Sequence, residues 1–126
     1  MSNHTLVIPN DASLEILNSI PFGVYFCDRN GIVRYINDAY AEYIGDIPQN
    51  IIGHDISEFL PRSRAKEVMK SGIAELYDKT SVREDVKKSQ ILVNRIPVFN
   101  IHNEVVGMIS QLMTVGDSGW TELLSK

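Results

Sequence analysis

The chain has 126 residues, 44% hydrophobic and 22% charged, with a formal net charge of −4. That is enough for one domain with one core, and it is neither the composition of a disordered chain nor the concentrated positive surface that phosphate backbones require. One cysteine excludes an internal disulfide, and no apolar run approaches the roughly 20 residues needed to span a bilayer; with no signal-peptide pattern at the start, a cytoplasmic location is the default expectation.

Residues 1–10 have no clear period and contain Pro9, so they read as a leader. Residues 11–20 form a short amphipathic helix, with Leu14, Ile16, Leu17 and Ile20 making a broad apolar face and Pro21 stopping it. This helix is either a lid on a sheet or a dimer contact.

Residues 23–37 read GVYFCDRNGIVRYIN. Two runs rich in β-branched and aromatic residues, 24–27 and 32–36, flank Asp28-Arg29-Asn30-Gly31. Asn-Gly between such runs predicts a tight hairpin, because both residues tolerate positive φ. Asn37 then caps a helix over 37–44, which places Tyr40, Tyr43 and Ile44 on one side and ends at Gly45.

Residues 46–53 read as a loop, and 56–60 as one helical turn stopped by Pro61. His54 and Asp55 read as loop and helix cap. The clearest helical period covers 62–76, where Ala65, Val68, Met69, Gly72, Ile73 and Leu76 form a stripe, and this is expected to be the longest internal helix. Residues 77–90 are polar, with a candidate edge strand at 82–86. Residues 91–99 and 105–115 are the strongest strands, joined by 100–104. Gly116 to Gly119 break the sheet, and 120–126 look like the first turns of a further helix that stops as if cut from a longer chain. The order of elements implies α+β, an antiparallel sheet with helices gathered on one face.

GVYFCDRNGIVRYINDAYAEYIG, IIGHDISEFLP and ILVNRIPVFNIHNEVVGMISQLMTV resemble, in that order, the opening hairpin and first helix, the connector and the final hairpin of PAS domains. Gly31 of the Asp-x-x-Gly turn and the capping Asn37 are the structural residues of that likeness. The pattern VNRIPVF…EVVGMI further resembles the N-terminal sensor domains of sigma-54-dependent transcriptional regulators. The resemblance implies a five-stranded antiparallel sheet over residues 11–116, with a flanking N-terminal helix and a linker helix starting in 117–126. It also implies a sensory, dimerising module that passes a small-molecule signal through its flanking helices. The alternatives are a ligand-free dimerisation module and the input domain of a histidine kinase.

No enzyme is expected, because hydrolytic or transfer chemistry needs a nucleophile, a base and an orienter in reach of one another. Cys27 is the only thiol, His4, His54 and His102 lie in the leader and in loops, and no catalytic or metal-binding spacing occurs. Haem-binding PAS domains carry a histidine on the long helix, and 62–76 has none. Photoactive flavin-binding ones carry a cysteine just before that helix, where this chain reads Glu58-Phe59-Leu60-Pro61-Arg62. No cofactor is therefore expected, and neither haem nor covalent flavin fits.

The family's pocket-facing positions fall on Tyr25, Cys27, Arg34, Ile36, Val93, Arg95, Gly107, Ile109 and Gln111. Arg34 and Arg95 could hold a small anion, since the guanidinium fork matches carboxylate or phosphate. The alternative, which weighs more, is that Arg95 pairs with a carboxylate of the covering helices such as Glu42, Glu58 or Glu75, and that Arg34, on an edge strand, reaches water with its stem packed on the sheet. Cys27 reads otherwise as a small buried hydrophobe.

Overall fold

The computed structural model of the protein describes residues 11–78 and 90–115. Among the described residues ten elements follow one another: α1 (Asp11–Asn18), β1 (Gly23–Asp28), β2 (Val33–Ile36), α2 (Asp38–Ile44), α3 (Pro48–Ile51), a 3-10 turn (Ile56–Glu58), α4 (Ala65–Ser71), β3 (Glu75–Asp78), β4 (Gln90–Phe99) and β5 (Val105–Val115). The strands make one antiparallel sheet in the order β2-β1-β5-β4-β3. The expected leader, the 82–86 strand, the break at 116–119 and the 120–126 helix lie outside the described residues.

The β1–β2 turn is built by Asp28. Its Oδ1 accepts from the backbone N–H groups of Asn30 (2.9 Å) and Ile32 (3.1 Å), and its carbonyl accepts from Gly31 (2.9 Å). Gly31 alone enters the left-handed region, at φ 83°, while Asn30 stays at negative φ. The expected pair of positive-φ residues is thus reduced to one, because the aspartate side chain supplies the turn's bonds and leaves only the last residue to reverse the chain.

Asn37 joins strand to helix. Its Oδ1 accepts from Tyr40 N (3.1 Å) and from Val24 N (3.0 Å), and its Nδ2 donates to the Phe22 carbonyl (2.7 Å). One buried amide therefore caps α2 and fixes the start of β1. Gly45, at φ 92°, ends α2.

Two segments differ from expectation. Residues 48–51 form a helical turn with Pro48 at its start, where a fixed φ and a missing N–H cost nothing. The helix expected over 62–76 is only Ala65–Ser71, no longer than α2, because Gly72 takes φ 69° and closes it. Its stripe splits accordingly. Ala65, Val68 and Met69 are buried, whereas Ile73 and Leu76 lie beyond the cap and are exposed, Leu76 on β3.

Apolar side chains pack on both faces of the sheet. Under α2, α3 and α4 lie Tyr25, Cys27, Val33, Ile36, Val93, Met108 and Leu112. On the opposite face, Val24, Phe26 and Tyr35 meet Leu14, Leu17 and Ile20, with Val98 and Ile109. The free side of β2 is closed by the segment before the 3-10 turn: Val33 N donates to the His54 carbonyl (2.9 Å), Gly53 N to Val33 (2.8 Å) and Ile56 N to Gly31 (2.9 Å).

Candidate functional site

Strand register decides what faces the helices. Tyr25 pairs with Ser110 and Cys27 with Met108 across β1 and β5, while Val93 pairs with Leu112 and Arg95 with Ser110 across β4 and β5. Each pair joins an odd to an even number, so the helix-facing residues of β5 are Met108, Ser110 and Leu112. Tyr25, Cys27, Ile36, Val93 and Arg95 hold the face assigned to them. Gly107, Ile109 and Gln111 do not: they lie on the α1 side, because opposite residues in an antiparallel pair share a face whatever their parity. Ile109 packs with Val24 and Phe26 there, and Gln111 Oε1 accepts from Asn94 Nδ2 at 3.3 Å.

Gly107 opens no ligand space either. A Cβ at that position would strike the Cys27 carbonyl and sit 2.7 Å from the Phe26 ring, so the missing side chain is what lets β1 and β5 approach.

At the expected pocket positions, buried side chains pack between sheet and helices. Tyr25 and Tyr40 are buried and meet edge to face at 4.9 Å, and the Tyr40 hydroxyl shares a 3.1 Å hydrogen bond with Ser110. Ile51, Ile56, Leu60 and Met108 are fully buried around them. Burial pushes both phenols well above their ordinary range. It also pushes the Cys27 thiol up to about 12, with the neighbouring Asp28 charge acting in the same direction, which favours the neutral thiol over the thiolate.

Both arginines are bound by the chain's own carboxylates. β2 carries a register shift that pairs Phe26 with Tyr35 and Cys27 with Val33, which leaves Arg34 as the extra residue of a bulge. Arg34 Nε donates to Asp28 Oδ2 at 2.9 Å, over a carboxylate that is buried while the arginine is partly exposed. Arg34 is therefore outside the interior. Arg95 is inside it, only 3% exposed, and its Nη1 donates to Asp78 Oδ2 (2.6 Å) and Glu75 Oε1 (3.3 Å). Glu75 also receives Arg64, through Nε to Oε1 (2.9 Å) and Nη2 to Oε2 (2.8 Å). Arg64, Glu75, Arg95 and Asp78 thus form a chain of charges linking the start of α4 to β3 and β4.

The sequence pattern does not mark Asp28, Asp78 or Ser110 as site residues, and Glu75 is one of several carboxylates it offers to Arg95. Asp28 was visible as the first residue of the turn motif. Asp78 fell in a polar stretch with no period, and Ser110 follows only from register.

A family model described as PAS fold matches residues 17–109. Over 52 residues the chain is 36% identical to the sensory histidine kinase/phosphatase NtrB of Rhizobium meliloti, covering 41% of this chain and 14% of that protein, so the chain spans only a small part of that relative's length. Among solved structures, the VqmA dimer of Vibrio cholerae superposes with a TM-score of 0.65 at 16% identity, covering 90% of this chain and 56% of that one. The PAS domain of nitrogen regulation protein NR(II) from Vibrio parahaemolyticus superposes with a TM-score of 0.63 at 14% identity, covering 84% and 100%. At these identities the structural likeness is one of fold.

Proposed function

The chain belongs to the PAS fold family, and from that premise we propose that it is the input module of a bacterial nitrogen-regulation-type signalling protein, acting in the cytoplasm as a homodimer. The sequence likeness to NtrB supports a histidine kinase as host, and the VNRIPVF…EVVGMI pattern supports a sigma-54-dependent regulator. What is common to both hosts is a sensory domain that passes its state on through the segments flanking it.

The observation that carries an assembly-based module, rather than one built around a captive anion, is the commitment of both arginines. Arg34 is bound to Asp28, and Arg95 to Asp78 and Glu75, beside a core that buries Tyr25, Tyr40 and Met108. The input is then the arrangement of two copies. A partner that binds one arrangement more tightly shifts the population and with it the angle at which the chain leaves β5.

The surface for a second copy is the α1 side. Leu14 and Leu17 grip the chain's own sheet, whereas Ile16 points away and is 66% exposed, and Ile96 of β4 is exposed as well. Replacing Leu14 and Leu17 would strip the sheet of its cover, so the informative changes are Ile16→Asp and Ile96→Asp. Sedimentation should show a dimer for the parent and monomers for the double variant, with unchanged circular dichroism. A monomeric parent, or a variant that stays dimeric, overturns the reading.

A second reading is favoured by Arg95 itself, a buried cation whose Nη1 is shared by two carboxylates. A small anionic ligand would compete with Asp78 and Glu75 for it. Thermal shift with small carboxylates and phosphates on the parent and on Arg95→Ala separates the readings, since stabilisation lost only in the variant supports the ligand.

A further inference from the structure

A second group of cations stands apart from the Arg64, Glu75, Arg95 and Asp78 chain. Arg29, Lys66 and Lys70 border a groove of about 250 Å³ whose apolar lining is Met69 and Val105. The three come from two distant parts of the chain. Arg29 stands in the β1–β2 turn, whose shape Asp28 fixes, and Lys66 and Lys70 are one turn apart on α4 and so share a side.

Lys66 is held in place. Its Cε lies 3.2 Å from where a Cβ on Gly31 would be, so the glycine lets the lysine stem cross the turn, and its Nζ reaches Asp55 Oδ2 at 3.2 Å. Among the described residues, that is the one ion pair at the groove. Among the described residues no carboxylate lines it, and none pairs with Arg29 or Lys70. In a chain of net charge −4, three cations against the single carboxylate of Asp55 make this apolar-lined groove a local reversal of sign.

We propose that this groove binds a compact oxyanion, of the phosphate or polycarboxylate type. Arg29 offers the planar fork that fits two oxygens of such a group, and Lys66 and Lys70 supply point charges from the opposite wall. A bound oxyanion bridges the hairpin turn to α4 and so stiffens the contact between the sheet and the helix whose start is tied to β3 through Arg64 and Glu75. The site is separate from Arg95 and from the α1 face, and it stands or falls independently of the dimer.

The test is a titration of the full chain with inorganic phosphate and, separately, with citrate, followed by amide chemical shifts at constant ionic strength set with sodium chloride. Saturable shifts are expected at residues 29, 66, 69, 70 and 105. Arg29→Ala and Lys70→Ala, both at exposed positions, should each weaken binding roughly fivefold while leaving shifts elsewhere unchanged. Saturation by phosphate alone or by citrate alone supports the site and names its ligand class. No saturable shift, shifts reproduced by chloride, or affinities that neither variant changes would overturn it. Arg95→Ala serves as the internal control: loss of binding there and not in the groove variants assigns the anion to the interior instead.

Discussion

At the scale of single residues, two side chains do work that their neighbours cannot replace. Asn37 satisfies two backbone N–H groups, those of Val24 and Tyr40, at a buried position. Asn37→Ala leaves both without their acceptor and should cost about 2–4 kcal/mol in denaturant unfolding, with Asn37→Asp losing less because it keeps the acceptor. Arg95 is the second. Arg95→Ala strips a buried cation from Asp78 and Glu75 and should cost about 3–5 kcal/mol, while Arg95→Met with Asp78→Asn recovers most of that loss, since Glu75 keeps Arg64. The same network sets an acid limit. Glu75 is held below its ordinary value of 4.5, first by the hydrogen bonds of Arg64 and then by the charges of Arg64 and Arg95. A carboxylate lowered by folding stabilises the fold above its unfolded value, and that stability is lost as pH falls through the folded value. Stability should therefore drop below pH 4.5, and Arg64→Ala should move the midpoint of acid unfolding upward; an unmoved midpoint would mean that Glu75 does not govern the transition.

Elements were legible wherever the signal was local. The hairpin, the caps at Asn37 and Gly45 and the two long strands could be read because turn chemistry and period lie within a few residues of each other. The end of α4 could not be read from period, since the apolar stripe runs through Gly72 to Leu76; the glycine's left-handed conformation overrides it and sends Leu76 into β3. The face of β5 differs from the expected one for another reason. Alternation shows that residues 107, 109 and 111 share a face but not which face, and one step of register exchanges the two. Three of the nine candidate pocket residues were lost to that step, and Arg34 to the bulge beside it. Gly107 tests the corrected register. Gly107→Ala places a methyl group against the Cys27 carbonyl and the Phe26 ring, and should destabilise by about 1–3 kcal/mol through separation of β1 from β5. A neutral effect would mean that the strands are not packed as closely as this register requires.

At the scale of the whole molecule, the two edges of the sheet are unlike. Beside β2, residues 53–56 supply three backbone hydrogen bonds to the hairpin, so that edge is closed by the chain itself. Beside β3, no described strand continues the sheet, and the strand is short and distorted: its register shifts between Glu75 and Asp78, and Tyr77 adopts φ 58° with its N–H turned to Asn94 Oδ1 at 2.8 Å. A bulge at a sheet edge interrupts the row of free backbone groups that another strand would need. Placed on β3, it also keeps Glu75 and Asp78 both directed at Arg95, although they are three residues apart. Amide hydrogen exchange reads this asymmetry directly. The amides of Val33, Gly53 and Ile56 should exchange slowly, near the rate of the central strands β1 and β5, because opening them requires detaching the connector from the sheet. Amides of β3 should exchange faster, by a margin that widens in Arg95→Ala, where the ion pairs holding β3 to β4 are gone. Equal protection at both edges in the parent protein, lost at β3 upon dilution, would show instead that the β3 edge is covered by a second chain and would move the dimer contact there from the α1 face.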